Sequence, residues 1–186
     1  MKYREATPDD IAAIAALHAA SWRFAYRGAY SDEYLDGPVD EDRLGVWLER
    51  LSEASANRFV VVAEEESQMA GFACAFGERD DRWGTLLDNL HVRREWQGKG
   101  IGRSLVAEVA KWCAKRNPDS GLYLSVLEQN ARAGVLREPR WDSRGGRCLE
   151  NSRWRQRAHA AICVAERGDG WTGGSVVKPS RPEIRS

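Results

Sequence analysis

The sequence predicts an α/β fold, with elements in the order strand, two helical regions, three strands, helix, strand over residues 1–133. Three observations predict it. Leu87 to Val106 is an apolar strand that runs through a glycine loop into a helix. Thr7-Pro8-Asp9-Asp10 is a helix start that follows a short strand. Two apolar runs flank a polar turn around Glu66-Ser67 and read as a hairpin.

Each element has a local reason. Lys2 to Glu5 is a short strand, and Thr7 stands as N-cap with Pro8 at the first helical position, where its missing N–H costs nothing. Ile11, Ile14, Ala15, Leu17, His18 and Trp22 recur at helical spacing and make one apolar face, on which His18 reads as a packed side chain. Tyr26, Tyr30, Tyr34 and Leu35 then crowd a loop that can roof a pocket. In Val39 to Ser52, Leu44, Trp47, Leu48 and Leu51 are expected on one buried side. Arg58 to Glu64 and Met69 to Phe76 are the hairpin strands, and Asp80 to Gly84 is the next turn. Thr85 to Val92 is a further strand. Gly102 to Lys115 is a helix with Leu105, Val106, Val109 and Trp112 facing inward, stopped by Asn117-Pro118-Asp119-Ser120-Gly121, and Leu122 to Val126 is a strand.

The glycine loop carries the chemistry. Gly98, Gly100 and Gly102 let the backbone turn with no Cβ in the way, so consecutive N–H groups point at one anion from the open N-terminus of the next helix. A P-loop would need Lys followed by Ser or Thr after its last glycine, and a Rossmann fingerprint would read G-x-G-x-x-G on the first βα turn. The order here is G-x-G-x-G, deep in the chain.

Gln97-Gly-Lys-Gly100-Ile-Gly102, with Leu90-His91-Val92 upstream, resembles the acyl-CoA signature of the GNAT superfamily of N-acetyltransferases. The element order and Ser21-Trp-Arg-x-x-Tyr26-x-Gly28 are similar to that family too, over residues 2–133. The resemblance implies a mixed, mostly antiparallel central sheet flanked by helices, with acetyl-CoA as co-substrate and a small-molecule or peptide amine as acceptor. It implies that Leu90, His91 and Val92 lie along the pantetheine arm and that Gln97, Gly98, Lys99, Gly100, Ile101, Gly102 and Arg103 hold the pyrophosphate. Asn130, in Glu128-Gln-Asn-Ala-Arg-Ala133, matches a family position near the cofactor. Asp88, two residues before Leu90, resembles the acidic position that many members use as a base, often through water. His91 is a second base candidate, because an unperturbed imidazole suits that work. Strand alternation sets it on the opposite face from Leu90 and Val92.

The resemblance breaks at Gly134. Where the family continues into Phe-Tyr-Glu-x-x-Gly-Phe, with a general-acid Tyr, this chain reads Gly134-Val-Leu-Arg-Glu-Pro-Arg-Trp141, and no Tyr follows Tyr123. Residues 134–186 hold ten Arg, seven Gly and three Trp, and their 11 Lys and Arg against 6 Asp and Glu leave a net charge of +5. The whole chain is neutral, so residues 1–133 are at −5. A shifted reading frame accounts for the break, because codons allowed for Gly134 to Arg140, offset by one nucleotide, can spell Ala-Phe-Tyr-Glu-Ser-Arg-Gly. A divergent tail is the alternative. In either case His159 to Glu166 alone has strand character there, residues 168–186 are expected to be mobile, and the sheet is expected to keep an exposed edge.

Composition sets the remaining bounds. No apolar run approaches the roughly 20 residues that span a bilayer, and no signal peptide precedes the first strand, so a cytoplasmic domain without membrane contact is expected. Cys74, Cys113, Cys148 and Cys163 lack metal-ligand spacing and read as free thiols, with no metal expected. A homodimer stays open. Two other classes stand beside the enzyme: an acyl-CoA binder without turnover, and a nucleic-acid binder through the basic tail. The scattered, aperiodic charges of that tail speak against the second. The acidic body favours a cationic amine.

Overall fold

A computed structural model describes residues 1–28, 30–81, 83–116, 121–126, 140–141, 147–149 and 162–166. The strands are β1 (Lys2–Glu5), β2 (Arg58–Glu65), β3 (Gln68–Asp80), β4 (Gly84–Val92), β5 (Leu122–Val126), β6 (Arg140–Trp141), β7 (Arg147–Leu149) and β8 (Ile162–Glu166). The helices are α1 (Ile11–Ala25), α2 (Asp32–Asp36), α3 (Val39–Ser52) and α4 (Ile101–Arg116). One mixed sheet runs β1-β2-β3-β4-β5-β8-β7-β6, antiparallel from β1 to β4 and parallel at β4/β5 and β5/β8.

The entry to α1 is set by a charge cluster. Asp10 accepts the Thr7 N–H at 2.8 Å and takes both terminal nitrogens of Arg4, at 2.8 and 2.9 Å. The Arg4 hydrogen bonds hold the Asp10 carboxyl below its ordinary range. With its acid so occupied, Pro8–Asp10 forms a tight 3-10 turn and the α-helix proper opens at Ile11.

The Glu66-Ser67 turn is as read. Both residues have positive φ, 48° and 64°, between paired Glu65 and Gln68, which is the backbone of a two-residue hairpin whose twist matches its strands. Alternation along β2 then sends Val60 and Val62 to one face and Val61 and Ala63 to the other. The first face packs on Ile14, Leu17 and Trp47, and the second on Leu105 and Val109 of α4. Helices on both faces explain why β3 is buried almost throughout.

Three expectations are corrected. In α3 the buried stripe is Val39, Arg43 and Trp47, while Leu44 and Leu48 are 39% and 50% exposed. Arg43 displaces the leucines because its guanidinium lies 4.2 Å from the Trp22 ring centre and donates to Asp42 at 2.8 Å, so a charged side chain is inside and satisfied at one end. Secondly, His159 to Glu166 does not hold the only strand beyond residue 133: β8 pairs with β5 from Leu122↔Ile162 to Val126↔Glu166, and β7 and β6 add further short strands beside it because each finds a partner edge there. The third concerns Gly102, which lies inside α4, whereas positive φ falls at Gly98 (79°) and Gly100 (81°). Asn130, the expected helix stop at 117–120 and residues 168–186 lie outside the described residues, as do the side chains of Cys148 and Cys163. Cys74 and Cys113 are free and buried.

Candidate active site

The site begins at an irregularity in β4. Cys74 of β3 pairs with Asn89, and Ala75 pairs with Leu87, so Asp88 is the extra residue of a β-bulge. The bulge lets adjacent side chains reach one partner. Arg50 of α3 donates through Nη1 to Asp88 Oδ2 and to Asn89 Oδ1, both at 2.7 Å. The Arg50 guanidinium also stands 5.2 Å from the ring centres of Trp47 and Phe76.

At the same place the sheet opens. β4 and β5 are paired only from Thr85↔Leu122 to Leu87↔Leu124, so the strands part at the bulge. Leu90 and Val92 pack toward α4, and His91 turns to the other face, where its ring centre is 5.2 Å from that of Phe72. The alternation read from the sequence is therefore the one seen.

Beyond Val92 the chain crosses to α4 by a short glycine-containing loop. Gln97 donates Nε2–H to the Val92 carbonyl at 2.9 Å, which ties the loop to the strand end. A Cβ built on Gly98 or Gly100 would meet nothing within 4 Å, so open space lies above both. Ser104 N–H is bonded to the Gly100 carbonyl at 3.1 Å, and the amides before it in the first turn are the ones a helix leaves without intrahelical acceptors. Arg93, Arg94, Lys99 and Arg103 are exposed around this loop, with Lys99 Nζ 4.4 Å from the Trp96 ring centre. Donors, dipole and cations thus converge where nothing fills the space, which is the setting an anion needs.

On the opposite face of β4, α1 and α3 bring a second group of residues that the sequence did not connect. His18 is 2% exposed, and Trp47 donates its Nε1–H to His18 Nδ1 at 3.0 Å. The His18 and His91 rings are 4.8 Å apart. Burial, with His91 and then Arg43 nearby, keeps His18 neutral well below the ordinary imidazole range. Desolvation alone lowers His91 to about 4, although the residue is partly exposed. Over these rings sits the aromatic group expected to roof a pocket. Trp22 stacks on Tyr30 at 5.4 Å and meets Tyr26 edge-on at 5.2 Å, while Tyr34 donates its hydroxyl to Asp42. Burial first, and that hydrogen bond second, raise the Tyr34 phenol to about 12, so it stays protonated.

A recess of about 380 Å3 between Glu5, Pro8, Leu51, Ser55 and Arg58 is lined by none of these residues. Among the described residues no helix is long and apolar enough to cross a membrane, and no group of side chains is arranged to hold a metal ion.

Residues 15–135 match the acetyltransferase (GNAT) family. The chain belongs to that family. Members use acetyl-CoA as co-substrate. The uncharacterized N-acetyltransferase YuaI of Bacillus subtilis (strain 168) is 29% identical over 130 residues, 68% of this chain and 72% of that protein. The aminoglycoside N(6')-acetyltransferase type 1 of Stenotrophomonas maltophilia is 31% identical over 115 residues, 59% of this chain and 65% of that one. Among solved structures, the PaiA N-acetyltransferase of Thermoplasma acidophilum, in complex with coenzyme A, superposes with a TM-score of 0.59 at 20% identity, over 76% of this chain and 92% of that one. The fold is therefore the GNAT fold, with acetyl transfer as its general chemistry.

Arg50, Asn89, Trp47 and Arg43 were not singled out as site residues. Only Trp47 carried any signal, as a member of the apolar α3 pattern; Arg43 lay outside that pattern.

Proposed function

We propose that the protein transfers an acetyl group from acetyl-CoA to a primary amine. The observation that carries this reading is the single run from the Asp88 bulge to the start of α4, where an opened strand edge leads into an uncrowded glycine turn at a helix N-terminus. The amides of Gly98 to Arg103 hold the pyrophosphate, Lys99 and Arg103 add charge, and the β4 edge at Leu90 and Val92 orients the pantetheine arm. Acetyl-CoA supplies the acetyl group as a thioester, whose carbonyl carbon accepts the amine nitrogen and whose sulfur departs as thiolate.

Amines are mostly protonated at neutral pH, so the nitrogen must first lose a proton. Asp88 takes it, directly or through water, because its carboxylate stands on the bulge beside the strand edge that would hold the thioester. His91, neutral at pH 7, lines the acceptor side and is the second base candidate, a weaker one than an unperturbed imidazole because burial lowers it to about 4. The attacking nitrogen loses its second proton to water as the C–S bond breaks, and the thiolate takes a proton from solvent, since no Tyr follows Tyr123. That same observation favours one other reading, an acyl-CoA binder with little turnover.

The amine acetylated by the Stenotrophomonas relative belongs to an aminoglycoside, which makes such amines reasonable members of a first panel. The deciding experiment measures thiol release from acetyl-CoA with a broad amine panel and identifies products by mass. Acetylated amine is the expected result. Tight acetyl-CoA binding with no acetylated product from any amine would replace this reading by the binder.

A further inference from the structure

Among the described residues, two nitrogen donors beneath the aromatic roof have no partner. His18 Nε2 and Arg43 Nε are out of reach of solvent and without a hydrogen bond among the described residues. Native interiors rarely leave such groups unpaired, because removing a donor from water without replacing its acceptor is costly.

The protonation of His18 follows from its neighbour. An indole N–H is only a donor, so His18 Nδ1, which receives the Trp47 hydrogen bond, is an acceptor. The neutral ring must then carry its hydrogen on Nε2. Arg43 Nε–H is a donor in every state. Both groups therefore ask for an acceptor atom. Both also pack on Trp22, the His18 ring at 5.5 Å and the Arg43 guanidinium at 4.2 Å from its ring centre. Trp22 is partly exposed, so the one ring that both groups touch also reaches the surface. His18 lies 4.8 Å from His91 on β4, so its orphaned donor stands one ring away from the strand where the amine would react.

Charge narrows the acceptor. Arg43 is matched by Asp42, and Arg50 by Asp88, so the floor holds no spare positive charge to neutralise a carboxylate. We propose that His18 Nε2–H and Arg43 Nε–H bind an uncharged oxygen of the acceptor substrate, which makes the preferred substrate a hydroxyl- or carbonyl-bearing amine whose oxygen enters beneath Trp22. The inference rests on the amine-acetylation reading above and names the substrate class for it.

The test uses three amines of matched length, propylamine, propanolamine and beta-alanine, with the full chain and acetyl-CoA. Propanolamine should exceed propylamine in kcat/KM by about tenfold or more, because a site built around buried donors rejects the analogue that lacks the acceptor. In Arg43→Lys, which keeps the charge and loses Nε–H, that ratio should fall toward one. If Arg43→Lys does not fold, His18→Asn serves, since its amide oxygen can still accept from Trp47 while the reach of the ring donor is lost. Equal kcat/KM for propanolamine and propylamine would overturn the proposal, and so would a clear preference for beta-alanine. If no amine is acetylated, the functional reading fails separately, and thermal shifts still decide: a shift with propanolamine alone supports the donor site, and equal shifts or none overturn it.

Discussion

Arg50 Nη1 donates to Asp88 Oδ2 at 2.7 Å, so the carboxylate on the β4 bulge is charge-paired across the α3/sheet junction before any substrate arrives. The pairing fixes where the carboxylate points. It also means that an approaching ammonium competes with a guanidinium for the same oxygens, and the ammonium has a proton to give.

Replacing Asp88 by Asn keeps the shape and removes the base. The expected outcome is a fall in kcat of about 10² to 10⁴, with acetyl-CoA affinity unchanged. Stopped or steady-state thiol release, together with calorimetric titration of acetyl-CoA, measures both. A kcat within twofold of the original would remove Asp88 from the mechanism and leave the role to His91.

The histidines set the acid side of stability. His91 is lowered from 6.5 to about 4 in the fold, and His18 is lowered too, both chiefly by burial. Between those values the unfolded chain binds protons that the folded chain does not, so stability is fully present above about pH 6.5 and is lost as pH falls toward 4, with a slope of up to about 1.4 kcal/mol per pH unit for each histidine. Melting temperatures from pH 7.5 to 4.5 should show this decline. His91→Phe should flatten part of it; an unchanged slope would mean that the ring is solvated in the fold.

How much of this was legible follows from how local each cause is. The Gln97–Gly102 loop could be read because a left-handed turn selects glycine at the position itself, and Gly98 and Gly100 have that φ. Glu66-Ser67 was visible as a break between two apolar runs. The bulge at Asp88 was not, because one extra residue in β4 is defined only by its register with Cys74 and Ala75 of β3. Leu44 and Arg43 show a different limit: hydropathy ranks the leucine inward, whereas the guanidinium gains an aromatic face and a carboxylate that come from α1 and its own neighbour in α3. The Trp47–His18 hydrogen bond joins two helices 29 residues apart in sequence, and no spacing rule reports it.

Trp47→Phe should show what that hydrogen bond contributes. The substitution leaves a buried ring in place but strands His18 Nδ1 without its donor, at a cost of about 1–3 kcal/mol beyond any loss of packing. For a domain of this size each kcal/mol lowers Tm by roughly 2–4 °C. Thermal unfolding at pH 7.5 measures it, and a drop under about 1 °C would mean that His18 finds another donor.

The glycine loop separates conformation from ligand contact. Gly100 has φ of 81° with open space around a Cβ, so Gly100→Val meets no protein atom but forces a β-branched residue into a left-handed turn. The loop must then shift, and its amides lose their common aim. Gly102 is different, because it has no positive φ and its Cβ would lie 3.8 Å from Val92 Cγ2, an ordinary contact. Gly102→Ala should therefore leave Tm nearly unchanged, so any loss of affinity reports the space that the pyrophosphate itself occupies. Acetyl-CoA affinity should fall at least about tenfold in Gly100→Val, equivalent to about 1.4 kcal/mol. In Gly102→Ala it should fall only if the phosphates pack against the first turn of α4 on that side. Calorimetric titration of both variants beside their melting curves gives the four values. Full acetyl-CoA affinity in a folded Gly100→Val protein would move the pyrophosphate away from this loop, and with it the whole placement of the thioester along β4.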